Sequence, residues 1–256
     1  MIKKLQFSDK DKEHISLLAI DPATQENDLF DYSRVVIKKP WGHEYLIFQN
    51  DQTAVWLLSI AHGNKTSLHC HPNKKTGLVL LAGNACITSL NTAHEINAGQ
   101  GFVIEKGTFH STEALSPEGI VVMEVETPVN KKDLVRFSDA YGRSGKGYED
   151  KTHHMPLDDT LHHFHQEEDR YHRSRKFGDC TLMMARCTNA MELKTVLAEA
   201  NADIISLLRG NFYYSSGQLA AEAGDTLNAQ EPQTWEDVLM PEEVELLIIK
   251  HDVKIV

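Results

Sequence analysis

Short apolar segments, each closed by a turn residue, dominate the chain from Val35 onward. Runs of roughly four to eight residues rich in Val, Ile and Leu, separated by Gly, Asn and Pro, predict β-strands. Many such strands in succession are typical of an all-β sandwich or barrel. Met191–Ala200 fits either a helix or a strand, and we favour a strand followed by a loop. The predicted strands are Tyr45–Phe48, Ala54–Ala61, Leu78–Leu81, Ala85–Leu90, Phe102–Ile104, Ile120–Val125, Cys180–Arg186, Asp203–Leu208, Phe212–Ser215 and Val244–Lys250.

An internal repeat divides these strands into two sets. The segment LLAGNACIT at Leu80–Thr88 resembles LLRGNFYYS at Leu207–Ser215, 127 positions later. Similar order at similar spacing indicates a duplicated β-domain. The other matched pairs are Ala98–Val103 with Ala223–Asn228 and Val121–Val125 with Glu245–Lys250. We predict an N-terminal extension that contributes an edge strand (1–34), a first domain (35–150), a solvated, histidine-rich linker (151–176) and a second domain (177–256).

Composition limits the classes of partner. The chain carries 26 Lys and Arg against 37 Asp and Glu, a net charge of −11, which disfavours nucleic acid and anionic membrane surfaces as partners. A few local basic groups are enough to bind an anionic small molecule. No apolar run approaches the roughly 20 residues of a transmembrane helix, and the first residues lack the apolar core of a signal peptide. We therefore expect a cytoplasmic protein with reduced cysteines.

Three histidines form a candidate metal site. His69 and His71 alternate along one predicted strand, so both imidazoles point to one face and Cys70 points to the other. His110 begins another strand after a turn at Lys106–Gly107. Three imidazoles inside a small barrel leave open positions, as a catalytic metal requires. We predict one divalent ion, zinc first, with iron, manganese or nickel as alternatives.

The segments that carry these histidines resemble the paired signatures of the cupin family. Seven positions match in register, namely Gly63, His69, His71, Gly83, Gly99, Gly107 and His110. Thr76 stands where the family's glutamate ligand usually lies, and Glu105 replaces a proline. We expect Thr76 to supply a hydroxyl or a hydrogen bond behind the ligands, or to leave its position to water. The resemblance implies two jelly-roll-like double-stranded β-helix barrels in one chain. The second barrel lacks a His-x-His pair, so we expect no metal there.

A narrower resemblance covers residues 36–145. KPWGHEY at Lys39–Tyr45 and DLVRFSDAYGR at Asp133–Arg143 are similar to motifs of type II phosphomannose isomerases, as are GNKTSLHCH and IEKGTFH. This resemblance implies a sugar or sugar phosphate substrate and an aldose–ketose isomerisation or a related proton transfer. Such chemistry needs a Lewis acid on the carbonyl and a base beside it. The candidate bases are Glu44, Glu105, His43 and His62.

Several side chains are candidates for holding the substrate. Lys106, Arg136 and Arg143 are candidates for binding a phosphate, the arginines by bidentate contacts. Arg143 is the stronger functional candidate of the two because it lies in the tail motif. Trp41 either packs the barrel mouth or stacks on a sugar ring.

Other functions and assemblies stay open at this stage. A three-histidine site without a carboxylate also resembles those of iron-dependent dioxygenases, and the loss of the glutamate ligand fits a sugar-binding cupin without turnover. Open β-sandwiches expose edge strands that subunits often cover by pairing. The first 34 residues, with apolar positions at Ile15, Leu17 and Leu29, are a candidate exchanged arm. We therefore expect a homodimer, with a monomer as the alternative.

Overall fold

The structure is a computed structural model that describes residues 1–18, 30–144, 146–165, 171, 173–234 and 238–252. Its first half contains α1 (Asp9–Leu17), β1 (Ile2–Leu5), β2 (Val35–Lys39), β3 (Gly42–Gln49), β4 (Ala54–Ile60), β5 (Leu68–Cys70), β6 (Lys75–Ala82), β7 (Asn84–Ser89), β8 (Ala93–Asn97), β9 (Gly101–Ile104), β10 (His110–Ala114), β11 (Ile120–Thr127), β12 (Val135–Ser138) and β13 (His154–Pro156). Its second half contains β14 (Ser174–Phe177), β15 (Cys180–Cys187), α2 (Ala190–Glu199), β16 (Ile204–Arg209), β17 (Asn211–Tyr214), β18 (Leu219–Glu222), β19 (Thr226–Asn228), α3 (Gln230–Thr234), β20 (Val238–Leu239) and β21 (Val244–His251).

Two sheets form the first barrel. The larger has the order β1-β9-β6-β11-β4-β3-β2-β13, and the smaller has the order β12-β5-β10-β7-β8. Apolar side chains of both sheets, among them Trp56, Leu80 and Ile87, pack into one buried core between them. The predicted all-β fold with cupin-type barrels is confirmed.

The second barrel repeats the strand order of the first. Its larger sheet runs β14-β15-β21-β16-β19, which matches β3-β4-β11-β6-β9, and its smaller sheet β18-β17-β20 matches β8-β7-β10. Equivalent backbone hydrogen bonds recur close to the repeat offset. Gly99 N–H donates to the Leu80 carbonyl at 2.9 Å, and Gly224 N–H donates to the Leu207 carbonyl at 2.7 Å. The structure thus bears out the internal repeat.

The larger sheets of the two barrels pack face to face. Because side chains alternate along a strand, β11 directs Val122 into the first barrel and Met123 and Val125 towards the second. These outward residues share a buried apolar cluster with Met184 and Leu247 of the second barrel. Apolar residues on both faces explain why these central strands read as continuous hydrophobic runs.

The N-terminal segment closes one side of the first barrel. Strand β1 pairs in parallel with β9 at the sheet edge, as expected of this extension. Helix α1 follows, capped by Ser8, and the buried Asp11 carboxylate accepts the Phe109 N–H at 2.9 Å. Ile15 lies on this helix rather than on a strand, and Leu29 lies outside the described residues. The homodimer and its exchanged arm stay predictions.

Two expectations about local structure are wrong. Met191–Ala200 lies almost wholly in helix α2, whose first turn is capped by the Asn189 side chain accepting the Glu192 N–H at 2.9 Å. Leu193 and Leu197, four residues apart, are its buried positions, a helical rather than a strand-like spacing.

None of the helices in the described part of the chain has the length and apolar character needed to cross a lipid bilayer.

The histidine-rich segment 151–176 is also not simply solvated. Strand β13 within it pairs with β2. Phe164 is fully buried, and its N–H donates to the Ile47 carbonyl at 2.6 Å. This part of the segment packs on the outer face of the first barrel because it carries apolar side chains between its charged ones.

Candidate metal centre

The structure brings the three predicted histidines together in the first barrel. His69 lies on β5, where its cross-strand partners are His110 on β10 and Arg136 on β12. The ring of His69 lies 4.5 Å from that of His110 and 5.0 Å from that of His71, measured between centroids. One candidate ligand atom from each residue lies within 4.8 Å of the other two, and all three residues are buried.

Backbone carbonyls fix the orientation of each ring. The Nδ1 atoms lie against the carbonyl oxygens of Ser67 (2.7 Å, from His69), Asp133 (2.6 Å, from His71) and Thr108 (3.0 Å, from His110). Since a carbonyl only accepts, Nδ1 carries the proton and the Nε2 lone pair is free. The buried Nε2 atoms of His71 and His110 have no hydrogen-bond partner among the described residues. Converging, unpartnered nitrogen atoms with oriented rings fit a divalent metal ion.

The electrostatics of the site favour neutral imidazoles. Burial lowers the pKa of His110 to about 4. Burial also holds the pKa of His69 and of His71 well below the usual value, assisted by the neighbouring His110 and by the Lys74 ammonium, respectively. Because only the neutral ring coordinates a metal, all three rings are ready to bind one at neutral pH.

Two local features build the ligand loop. Gly107 adopts a φ of +77°, and its N–H donates to the His71 carbonyl at 2.8 Å, so the turn before His110 is fastened to the neighbouring ligand. The Asp133 carboxylate accepts the N–H groups of Asn73 and Lys74, each at 3.0 Å. Asp133 begins the tail motif found in the sequence, but its role in the ligand loop was not predicted.

A cavity of about 440 Å³, open solvent included, adjoins the histidines. The buried Trp41 lines it together with His69 and His71. Most of the other lining side chains are charged, namely Lys39, Glu44, Lys74, Glu124, Glu126, Lys131, Arg136 and Arg143.

Glu44, one of the predicted bases, is a buried ion-pair partner. Its Oε1 lies 3.3 Å from the Lys39 ammonium and 3.4 Å from the Lys131 ammonium, and it accepts the Tyr148 hydroxyl. Burial alone would raise the pKa of Glu44, but the two lysines hold it below its ordinary value. A carboxylate stabilised in this way is a weak proton acceptor.

Glu124 differs from the other acidic residues of the cavity. It is 6% exposed and lies on β11 opposite Trp56 and Leu78. Within the described ranges it makes no ion pair and accepts no hydrogen bond. Burial raises its pKa to about 7, and the charge of Glu126 adds to the effect. Glu124 was not predicted from the sequence because Ile120–Val125 reads as an apolar strand. The signal available in the sequence was the alternation of Glu124 and Glu126, which places both carboxyl groups on the same face of the strand.

Arg136 and Arg143 line the cavity as compensated charges. Glu149 Oε1 lies 2.9 Å from Arg136 Nη2 and 2.7 Å from Arg143 Nη1. Arg143 forms a second ion pair, in which its Nη2 lies 2.7 Å from Asp139 Oδ1. Arg136 Nε is buried and has no partner in the described part of the protein.

The remaining candidates do not line this cavity. Glu105 and Lys106 are exposed, and the Glu105 carboxylate accepts the Phe7 N–H at 3.0 Å. Their turn faces the N-terminal segment outside the barrel, which corrects the expectation that they reach the substrate. His62 lies against the Ser116 carbonyl, and His43 is half-buried.

Thr76, at the family's glutamate position, is buried on β6 opposite Glu126. Its hydroxyl has no hydrogen-bond partner among the described residues. The candidate metal group found in the described ranges contains the three histidines and no carboxylate.

Fold and site together define an all-β, two-barrel protein with a three-histidine centre suited to a divalent metal. Residues 26–139 match the family described as mannose-6-phosphate isomerase C-terminal. The resemblance noted in the sequence is thereby confirmed for this part of the chain.

Individual relatives also match part of the chain. Proteins named mannose-1-phosphate guanylyltransferase from Klebsiella pneumoniae and Escherichia coli are each 25% identical over 122 residues, 46% of this chain and 26% of theirs. The match therefore spans about a quarter of the length of these relatives. Among solved structures, the capsular polysaccharide assembling protein CapF from Staphylococcus aureus is 17% identical with a TM-score of 0.38, over 43% of this chain and 36% of that one.

Proposed function

We propose that the protein is a metal-dependent enzyme that acts on a sugar phosphate by aldose–ketose isomerisation or a related proton transfer. The observation that carries this proposal is the presence of Glu124, a carboxyl group with a pKa of about 7, in the cavity that adjoins three unprotonated imidazoles. The match of residues 26–139 to a mannose-6-phosphate isomerase domain supports the substrate class.

His69, His71 and His110 would hold the ion, with zinc as the first expectation and iron, manganese or nickel as alternatives. A bound divalent ion supplies Lewis acidity to the carbonyl and hydroxyl oxygens of the sugar. The chain's own contribution is to keep the three imidazoles neutral and fixed by their Nδ1–H hydrogen bonds.

Glu124 replaces Glu44 and Glu105 as the proposed base. In an aldose–ketose isomerisation the base takes the proton from carbon 2 and returns it to carbon 1, while a proton moves from oxygen 2 to oxygen 1. A group that both accepts and donates works best when its pKa lies near the working pH. Glu124 meets this condition, whereas the ion-paired Glu44 does not.

The charge of the cavity supports an anionic substrate. Five basic side chains line it against three acidic ones, in a chain whose net charge is −11, and Glu149 pairs with three of the five basic groups from outside this lining. A divalent ion would add to this local positive charge. Trp41 offers an apolar surface for a sugar ring, and Arg136 has a free Nε donor within the described residues. We assign Trp41 and Arg136 to substrate binding. We assign Arg143 to holding Glu149, the ion-pair partner of Arg136, in place.

Proton exchange with solvent tests this function directly. We expect the metal-loaded protein, incubated in deuterium oxide with mannose 6-phosphate and a panel of other phosphosugars, to form an isomer and to take up deuterium, as followed by NMR. Glu124→Gln should lower the rate by at least about 100-fold with the metal content unchanged. Glu118→Gln, an exposed control just before the same strand, should leave the rate intact. Absence of isomer and of deuterium uptake with every sugar would count against the isomerase, and binding without turnover would favour a sugar-binding cupin.

One observation favours a second candidate function. The three histidines stand without a carboxylate ligand in the described part of the chain, as in an iron-dependent dioxygenase site, where open positions accept substrate and oxygen. Iron in the purified protein together with substrate-dependent oxygen consumption would favour this alternative over the isomerase.

A further inference from the structure

Lys74 is a buried cation beside the histidine centre. Its side chain is 0% exposed and lines the same cavity as His69 and His71. The Asp133 carboxylate holds the Lys74 backbone N–H at 3.0 Å, so the loop that carries the lysine is fastened to the loop that orients His71. The lysine is thus a fixed part of the site, not a mobile surface group.

The hydrogen-bond donors of Lys74 are only partly satisfied. An ammonium group carries three N–H donors, and the one acidic group it contacts among the described residues is Glu126, with Oε1 at 3.1 Å. That contact can occupy only one of the three donors, and no further acceptor is found for the ammonium nitrogen in this part of the chain. Since an unsatisfied buried donor is unfavourable, the geometry leaves room for an acceptor from a ligand.

The neighbouring carboxylates are already shared. Glu126 also contacts the Lys131 ammonium, at 3.5 Å, and Glu44 contacts both Lys39 and Lys131. No carboxylate joins the three histidines in the described group, because Thr76 stands at the position of the glutamate ligand. Glu124 has no ion-pair partner among the described residues, but burial raises its pKa to about 7, so below that pH it offers no full negative charge to Lys74 or to a cation held by the imidazoles.

We propose that Lys74 and the histidine centre form one subsite for a small oxyanion, such as a carboxylate or a phosphate, that accepts from the Lys74 ammonium next to the metal position. This inference rests on the proposed metal centre and deepens it, since it names the charged group that the ligand must present there. A compact ammonium binds such an anion as a point charge with rotatable donors.

Anion titration of the cobalt(II)-loaded protein tests the subsite through the visible spectrum of the ion, independently of turnover. We expect inorganic phosphate or acetate to change the wild-type spectrum saturably, and the anion that binds more tightly identifies the class. Lys74→Met should weaken that binding by at least about tenfold, the expected loss for one charge-assisted contact. Lys74→Arg should retain most of it. Lys75→Met, which removes the neighbouring lysine that pairs with the second barrel, should bind as wild type does.

The outcomes separate this inference from the isomerase proposal. Unchanged anion affinity in Lys74→Met, or no spectral response of the wild type to either anion, overturns the subsite whatever the enzyme's activity. Anion binding lost in Lys74→Met but present in a wild type that isomerises no sugar upholds the subsite and removes the isomerase. Should Lys74→Met not fold, Lys74→Gln takes its place with the same expectation. If cobalt does not bind, stabilisation of the metal-free chain by phosphate in thermal unfolding, compared between wild type and Lys74→Met, decides the question.

Discussion

The two barrels of this chain share a strand order but enclose different interiors. The first surrounds a cavity lined by charged side chains and two of the three histidines. The second surrounds an apolar cluster that includes Leu193, Leu207, Phe212 and Leu246. Hydrogen bonds of the backbone recur between the barrels even where the interior residues differ. The common frame therefore specifies the fold, and the site is an addition to it.

Part of the site lies on two strands that are absent from the described second barrel. Strand β5, which carries His69, and its partner β12 have no counterpart in the described second barrel, where helix α2 lies between β15 and β16. The repeat offset places the counterparts of His69 and His71 at Val196 and Ala198, both on α2. The counterpart of His110 falls near 235–237, outside the described residues.

The first test of this contrast removes a buried charge. Glu126→Ala leaves Lys74 and Lys131 without their shared carboxylate, and breaking a buried ion pair costs roughly 3–5 kcal/mol. The free energy of unfolding from urea titration should fall by that amount. Glu222→Ala, which removes a half-exposed partner of Lys75 between the barrels, should cost less than about 1 kcal/mol. Equal losses in the two variants would mean that the interior of the first barrel is not ionic as described.

A second test addresses the face between the barrels. Leu247 is fully buried in the cluster that joins the two large sheets, so Leu247→Ala should lower the free energy of unfolding by roughly 2–5 kcal/mol. Urea unfolding followed by circular dichroism measures the change. A loss below about 1 kcal/mol would show that this face is open to solvent. Lys176→Ala, at an exposed position of edge strand β14, is a peripheral comparison.

A third test follows stability against pH and concerns Glu124, a carboxyl group inside the first barrel. Above pH 4.5 the unfolded chain releases the Glu124 proton, but the folded metal-free protein keeps it until about pH 7. The folded state binds more protons in this window, so its stability falls as pH rises, by about 3 kcal/mol in total. Glu124→Gln should remove that fall, so its stability relative to wild type should grow from pH 4.5 to 7. Parallel stability curves for the two proteins would contradict the raised pKa.

The smallest expected effect concerns helix α2. Asn189→Ala deletes the side chain that caps the helix, which should lower the free energy of unfolding by about 1 kcal/mol. Metal binding should not change, because α2 belongs to the second barrel. Glu199→Ala at the exposed last turn is the control and should be close to neutral. A loss of metal in Asn189→Ala would contradict the separation of site and second barrel.

The β-barrel fold and the three candidate metal-ligating histidines were predictable because both depend on short-range sequence patterns. Strand periodicity, the 127-residue repeat and the His-x-His alternation are all readable within a few neighbouring residues. Helix α2 was missed because its short apolar run was assigned to a strand and loop, although the spacing of Leu193 and Leu197 favours a helix.

The rest of the site depends on contacts between distant segments. Glu124 and Lys74 acquire their character from burial beside charges on other strands, which no local pattern encodes. Glu105 and Lys106 show the opposite case. The turn that holds them matches the family signature in register, yet it faces outward towards the N-terminal segment.

The central claim is that the first barrel alone holds one divalent ion on His69, His71 and His110. Elemental analysis of the purified full chain measures this directly. We predict about one metal ion per chain in the wild type and in the control His162→Ala plus His163→Ala, which removes histidines of segment 151–176. The variant His69→Ala plus His71→Ala should retain almost none. One equivalent of metal surviving in that variant would contradict the account.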